Sequence, residues 1–165
     1  MIKKILVVAA LILPMMASAQ ALKVGLVDTN EIIGKMPETA EAQKTLNEAQ
    51  KKYQEELQRI DQEFQRQYEE LQNMKEDELP AIKERKVRQL QETQQRGEAF
   101  QQQVIQDLQK QQEELMAPVL QKVRNAIESV GKEKGYTLIQ ELTGTIYFAA
   151  PVEDITDQVK KKLGI

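Results

Sequence analysis

Carboxylates and cations are the groups with chemistry to offer in this sequence. The 165 residues include 26 Asp and Glu and 23 Lys and Arg, with no His and no Cys. Thiol catalysis, disulfide staples, a histidine general base and the usual zinc ligand sets are therefore excluded. Carboxylate pairs and Ser/Lys arrangements remain as catalytic options. The spacing of the charges argues against them. Glu48/Lys52, Lys51/Glu55, Glu55/Arg59, Arg59/Glu63, Arg66/Glu70, Glu84/Arg88 and Glu92/Arg96 are opposite charges four residues apart. Each such pair adds a few tenths of a kcal/mol to a helix standing in water. They decorate solvated faces and converge on no pocket, so an enzyme is not expected. No glycine-rich phosphate loop is present, and neither a metal nor a cofactor is expected. One basic cluster stands out, Lys83, Arg85, Lys86 and Arg88, interrupted by Glu84. It reads as a solvated helix face, with a client-binding or peripheral membrane-binding tip as the functional alternative.

The elements that carry these charges have a helical period. From Leu46 through Ala49, Tyr53, Leu57, Ile60, Phe64, Tyr68, Leu71 and Met74 the apolar residues recur at steps of three and four. With Leu57 at heptad position a, Phe64 and Leu71 also fall at a, and Leu46, Tyr53, Ile60 and Met74 fall at d. Gln50 and Gln67 sit in this seam and make it imperfect. A second stripe runs from Leu79 and Ile82 to Ile127 and Val130, thinning at Gly97 and Phe100. Pro80 cannot continue the first helix but can start the second. The expectation is an antiparallel helical hairpin over 38–118, with its tip near 75–82. Arms of roughly 40 residues would extend on the order of 60 Å at about 1.5 Å per residue. Pro118 should kink or interrupt the second arm where it enters a base. Tyr68 lies off the a/d register and Phe100 lies where the second stripe thins. They are the candidate exposed aromatic surface, joined by the basic tip cluster.

The rest of the chain is short. Residues 1–19 have a basic start (Lys3, Lys4), an apolar run and the small residues Ala17-Ser18-Ala19. They read as a cleaved signal peptide, not a membrane anchor. Without Lys3 and Lys4 the exported chain has 21 basic and 26 acidic residues, a net charge of −5. That balance disfavours nucleic acid as a partner. Segments 20–37 and 119–165 form the expected base. Residues 22–27 read as a strand, and Asp28 with Glu31 reads as a capping box that starts a short helix ending near Gly34. Pro37 opens the next helix. Gly131 and Gly135 flank the end of the second arm. Residues 136–142 and 145–149 read as a β-hairpin turning at Thr143-Gly144, with Pro151 ending the sheet. Asp154-Ile155-Thr156 caps a last helix, with Val159 and Leu163 inward and Gly164 closing it. Val24, Leu26, Leu138, Ile146 and Phe148 are the candidate core or inter-subunit contacts. So small a base, with open strand edges, is expected to oligomerise.

The fold class is therefore α+β, mainly α: a long helical hairpin on a small β-rich base. The order of its segments resembles the Skp/OmpH family of periplasmic chaperones. The resemblance rests on the export signal, Val24-Gly-Leu-Val-Asp28, and Pro37-Glu38 opening a Gln/Glu/Lys-rich hairpin. It continues through Ala117-Pro118-Val119, Lys134-Gly-Tyr136 and the ending Asp154-Ile-Thr156…Val159-Lys-Lys-Lys-Leu-Gly. It implies a soluble periplasmic homotrimer whose joined bases hang three tentacles around a cavity. It also implies an ATP-independent holdase for unfolded outer-membrane β-barrel proteins. The best-known members are basic, whereas this chain is acidic, so no basic ligand site is carried over. The other reading is a coiled-coil spacer or adaptor of the cell envelope.

Overall fold

The computed structural model describes residues 22–165; the signal peptide expected over 1–19 lies outside the described residues. Strand β1 (Val24–Val27) leads into helix α1 (Thr29–Lys35). Two long helices follow, α2 (Pro37–Gln72) and α3 (Pro80–Lys134), then strands β2 (Leu138–Glu141) and β3 (Glu153–Asp154), and helix α4 (Thr156–Leu163). Both long helices start on proline, at Pro37 and Pro80, where a missing N–H costs nothing and φ is already set. The turn between the arms therefore falls between Gln72 and Pro80. At 36 and 55 residues the helices measure about 54 Å and about 82 Å. The second is longer because it continues beyond the arm into the base.

Of the kink or interruption expected at Pro118, the interruption is absent. The helix runs through it unbroken. Just beyond it Val119, Val123, Ala126 and Val130 are buried at helical spacing. That packing holds the helix across the one backbone hydrogen bond proline removes. α1 likewise runs past Gly34 to Lys35, because the chain stops only where Met36 turns extended ahead of Pro37.

The sheet has the order β2-β1-β3, and both pairings are parallel. This corrects the expected β-hairpin. Gly144 does turn the chain, with φ +89°, and Thr145 N donates to Leu142 O at 2.9 Å. The segment 145–149 forms no strand, however. The chain crosses to the far edge of β1, and Glu153–Asp154 pair with Gly25 and Leu26 beyond Pro151. Pro151 therefore does not end the sheet. The physical reason is the burial of Ile155. It is fully enclosed, its N–H bonds Leu26 O at 2.8 Å, and the third strand must end where it can insert. A parallel pair needs a crossover, and between β1 and β2 that crossover is the entire hairpin.

One core joins sheet and helices: Val27, Ile32, Met36, Val123, Ile155 and Val159, with the other buried valines of α3 around them. Tyr136, Ile139 and Leu163 pack at its edge. Gly131 lies inside α3 and not beyond its end. A methyl group there would sit 3.0 Å from Ile139 Cδ1, so the glycine sets the approach of helix to sheet. Gly135 is the left-handed cap, with φ +69°. Asp28 Oδ1 caps α1 by accepting from Glu31 N at 2.8 Å. The reciprocal half of the capping box is replaced. Asp28 N donates to Thr156 Oγ1 at 2.9 Å, which ties the first strand to the last helix. Asp154 Oδ1 in turn accepts from Thr156 N at 2.9 Å.

Candidate functional site

The arms carry little core of their own. In α2 only Ala42 and Ile60 are buried, and the arm portion of α3 adds Thr93 and Val104. Seam residues Leu46, Tyr53, Leu57, Phe64 and Leu71 are half-buried, as a two-helix seam without a third layer must leave them. Cross-arm polar contacts supplement it. Arg96 pairs with Glu63, Lys86 Nζ lies 2.7 Å from Glu70 Oε2, and Lys122 pairs with Glu38. In each case the acid is on α2 and the base on α3. Hydrogen bonding from Lys86 holds the Glu70 carboxyl below its usual range, and Lys122 does the same to Glu38.

The candidate aromatics separate. Tyr68 is 43% exposed and stacks on Phe64, with ring centroids 6.4 Å apart and an interplanar angle of 11°. Phe100 is half-buried. It meets Tyr53 edge-on across the seam at 6.1 Å, so it closes the arms together and is not the exposed surface expected. The hydroxyl of Tyr53 accepts from Gln111 Nε2 at 3.2 Å. The basic cluster also divides. Lys86 is drawn into the cross-arm pair, and Arg88 pairs with Glu84 at 3.2 Å. Lys83 and Arg85 stand exposed, with no acidic partner among the described residues.

The base presents a second surface. Leu26 is buried and Val24 half-buried, on the face of β1 turned away from the helices. Phe148, Tyr147 and Val152 line a groove with them. Leu138, Ile146 and Phe148 are exposed, Ile146 fully, so they are not core of the single chain. Tyr147 is exposed as well, so the base leaves these four large apolar side chains uncovered, and β2 is an edge strand.

Sequence reasoning missed the ties that fasten the base. Glu141 accepts from Thr29 N at 3.1 Å and from Thr29 Oγ1 at 2.6 Å, closing the start of α1. Lys160 Nζ reaches Asp157 at 2.5 Å and Glu31 at 2.8 Å. Hydrogen bonds from Lys160 and then Lys35 lower the Glu31 carboxyl to about 2, and Asp157 and then Glu31 raise Lys160. Thr29 and Glu141, and Glu31 and Lys160, are more than a hundred residues apart in sequence, so no local spacing could reveal those two ties.

Among the described residues, no cluster of acidic side chains could hold a metal ion, and no helix is long and apolar enough to cross a membrane. The arrangement offers grooves and exposed apolar side chains suited to binding. No curated protein matches the sequence. A crystal structure from Caulobacter crescentus CB15, described as that of a candidate outer membrane chaperone (OmpH-like), matches the fold with a TM-score of 0.74. It is 15% identical, over 85% of this chain and 82% of that one. The family described as outer membrane protein (OmpH-like) matches residues 23–163. With that match spanning nearly all of the described residues, the chain belongs to the OmpH-like family.

Proposed function

We propose that this chain is an exported, ATP-independent holdase of the periplasm, which keeps unfolded outer-membrane β-barrel proteins from aggregating. The observation that carries the reading is the hairpin itself. Two long helices stand on a small base with a half-buried apolar seam and almost no enclosed core. Such arms suit many weak contacts, and multivalency turns weak contacts into retention. Family membership supports it, as does the OmpH-like chaperone with the same fold. The working unit is a homotrimer, with bases joined through Leu138, Ile146, Tyr147 and Phe148 and with hairpins around a cavity. Exposed apolar side chains on a base with an open edge strand are what a neighbouring copy would cover. The domain division follows: 38–118 as tentacle, 20–37 and 119–165 as body. Tyr68, Lys83 and Arg85 are the client contacts at the upper arm; Phe100, Lys86 and Arg88 act through the integrity of the hairpin. Lys83 and Arg85 are also the groups that would meet an anionic membrane surface.

The test is an aggregation assay. A urea-unfolded outer-membrane β-barrel is diluted into buffer containing the protein, and light scattering is followed against its concentration. Suppression saturating at about three chains per client is expected of a trimer holding one client. Absence of suppression at any ratio would reject the holdase and leave the envelope spacer.

A further inference from the structure

The seam between the arms opens at several grooves, and two of them repeat one another. The upper groove, about 550 Å³, is floored by Leu57, Ile60 and Phe64 of α2 beside Gly97 of α3. It exists because Gly97 has no side chain: a methyl group there would already lie 3.3 Å from Ile60 Cγ2. The lower groove, about 370 Å³, is lined on α2 by Gln43, Leu46, Asn47 and Gln50. It exists because two successive a positions hold glutamine, which does not close an apolar seam. Between the grooves, the edge-on pair of Tyr53 and Phe100 shuts the arms.

The correspondence covers all four lower-groove residues of α2 and two of the four on α3. Gln43, Leu46, Asn47 and Gln50 of the lower groove stand two heptads before Leu57, Ile60, Asp61 and Phe64 of the upper. On α3, Leu108 and Gln112 of the lower groove stand two heptads after Gln94 and Glu98 of the upper. Residues two heptads apart share a face, so both grooves open on the same side of the hairpin, about 21 Å apart along the arm.

That distance fits an extended polypeptide. Six residues of a β-conformation rise about 20 Å, and residues six apart point to the same side. Five or seven residues would turn the second side chain away. The lower lining is also chemically matched to a neutral backbone. It includes five carboxamides (Gln43, Asn47, Gln50, Gln109 and Gln112) and no charged group, with Leu46, Ile105 and Leu108 as its apolar part. Carboxamides donate to and accept from peptide groups, and Ile105 is 67% exposed and ready to contact a guest.

We infer that the two grooves are paired subsites for an extended, unfolded polypeptide segment that carries apolar side chains at positions i and i+6. The inference rests on the holdase reading and names the form in which a client is held. Sequence-tolerant capture follows, because only two side chains are read and the backbone is met by amides alone in the lower groove, and by amides with Asp61 and Glu98 in the upper.

The experiment measures binding of fluorescein-labelled twelve-residue peptides to the protein by anisotropy. Each peptide has two leucines in a Ser/Thr/Gly background, spaced five, six or seven apart. Spacing six should bind roughly tenfold more tightly than five or seven, since the second contact becomes intramolecular. Ile105→Glu should erase that preference, and so should Gln109→Glu; both sites are exposed, and circular dichroism would verify the arms. Equal affinity at all three spacings, or a preference that survives both substitutions, overturns the inference. The same samples are run in the aggregation assay. If suppression persists without a spacing preference, the paired subsites fall and the holdase stands; if suppression and peptide binding are both absent, both fall.

Discussion

Glu31 links three parts of the base, because its carboxylate meets Lys35 on its own helix and Lys160 on α4, while its N–H is capped by Asp28. Those lysines lower its carboxyl from 4.5 to about 2. A carboxyl lowered on folding contributes stability that is full above its unfolded value and lost as pH falls through the folded one. The contribution should therefore be intact at pH 7 and decline between about pH 4.5 and 2. Thermal melts of the wild type and Glu31→Gln should differ at pH 7 and converge toward pH 2. Parallel melts at both values would refute the role. Ile155 gives a larger and pH-independent effect. It is fully enclosed, so Ile155→Ala should cost roughly 2–5 kcal/mol in denaturant titration. Ile146, by contrast, is bare in the single chain. Ile146→Ser should leave the far-UV spectrum unchanged and weaken self-association in sedimentation equilibrium. An unchanged association constant would remove it from the proposed interface.

At the scale of elements, the hairpin is a marginal structure fastened to a firm one. Its cross-arm ion pairs are partly exposed, Arg96 and Glu63 at 54% and 36% of their side chains. Arg96→Ala should therefore cost no more than about 1 kcal/mol, and less in high salt. A cost that is larger and indifferent to salt would mean the pair is more deeply desolvated than its exposure implies. Pro118 works in the opposite sense. Replacing it with alanine restores a backbone donor in a helix that already runs through the site. Pro118→Ala should raise the melting temperature, by a stabilisation of roughly 1–3 kcal/mol. A fall would indicate that the helix is fitted to proline there.

For the whole molecule, these inequalities set a gradient of stability. Residues 119–130 lie on the shared core, while the arm outward of Ile60 has no buried apolar residue on α2. Hydrogen exchange should then be fast at the tip, intermediate along the arms and slowest in the base segment of α3. Uniform protection from tip to base would contradict this picture. Such a gradient would suit the proposed holdase, in which arms that open cheaply would adapt to clients of different size. The long hairpin is also a crossover between two parallel strands. Its length can therefore change without altering the sheet that anchors it.

The hairpin and its two proline starts were legible in the sequence, because helical period and proline chemistry are local properties. So were the Gly135 and Gly164 ends and the cap at Asp28. The sheet was not. Residues 145–149 have the composition of a strand, yet strand pairing depends on which edge is open, and the burial of Ile155 decided that from outside the segment. Phe100 was misplaced for a similar reason. Where the second stripe thins, the period alone cannot say that Tyr53 reaches across to meet the ring. Gln50 was visible as a flaw in the seam. Only the tertiary structure set the glutamine flaw and Gly97 two heptads apart on one face, because the register between antiparallel helices is fixed by packing and not by either helix alone.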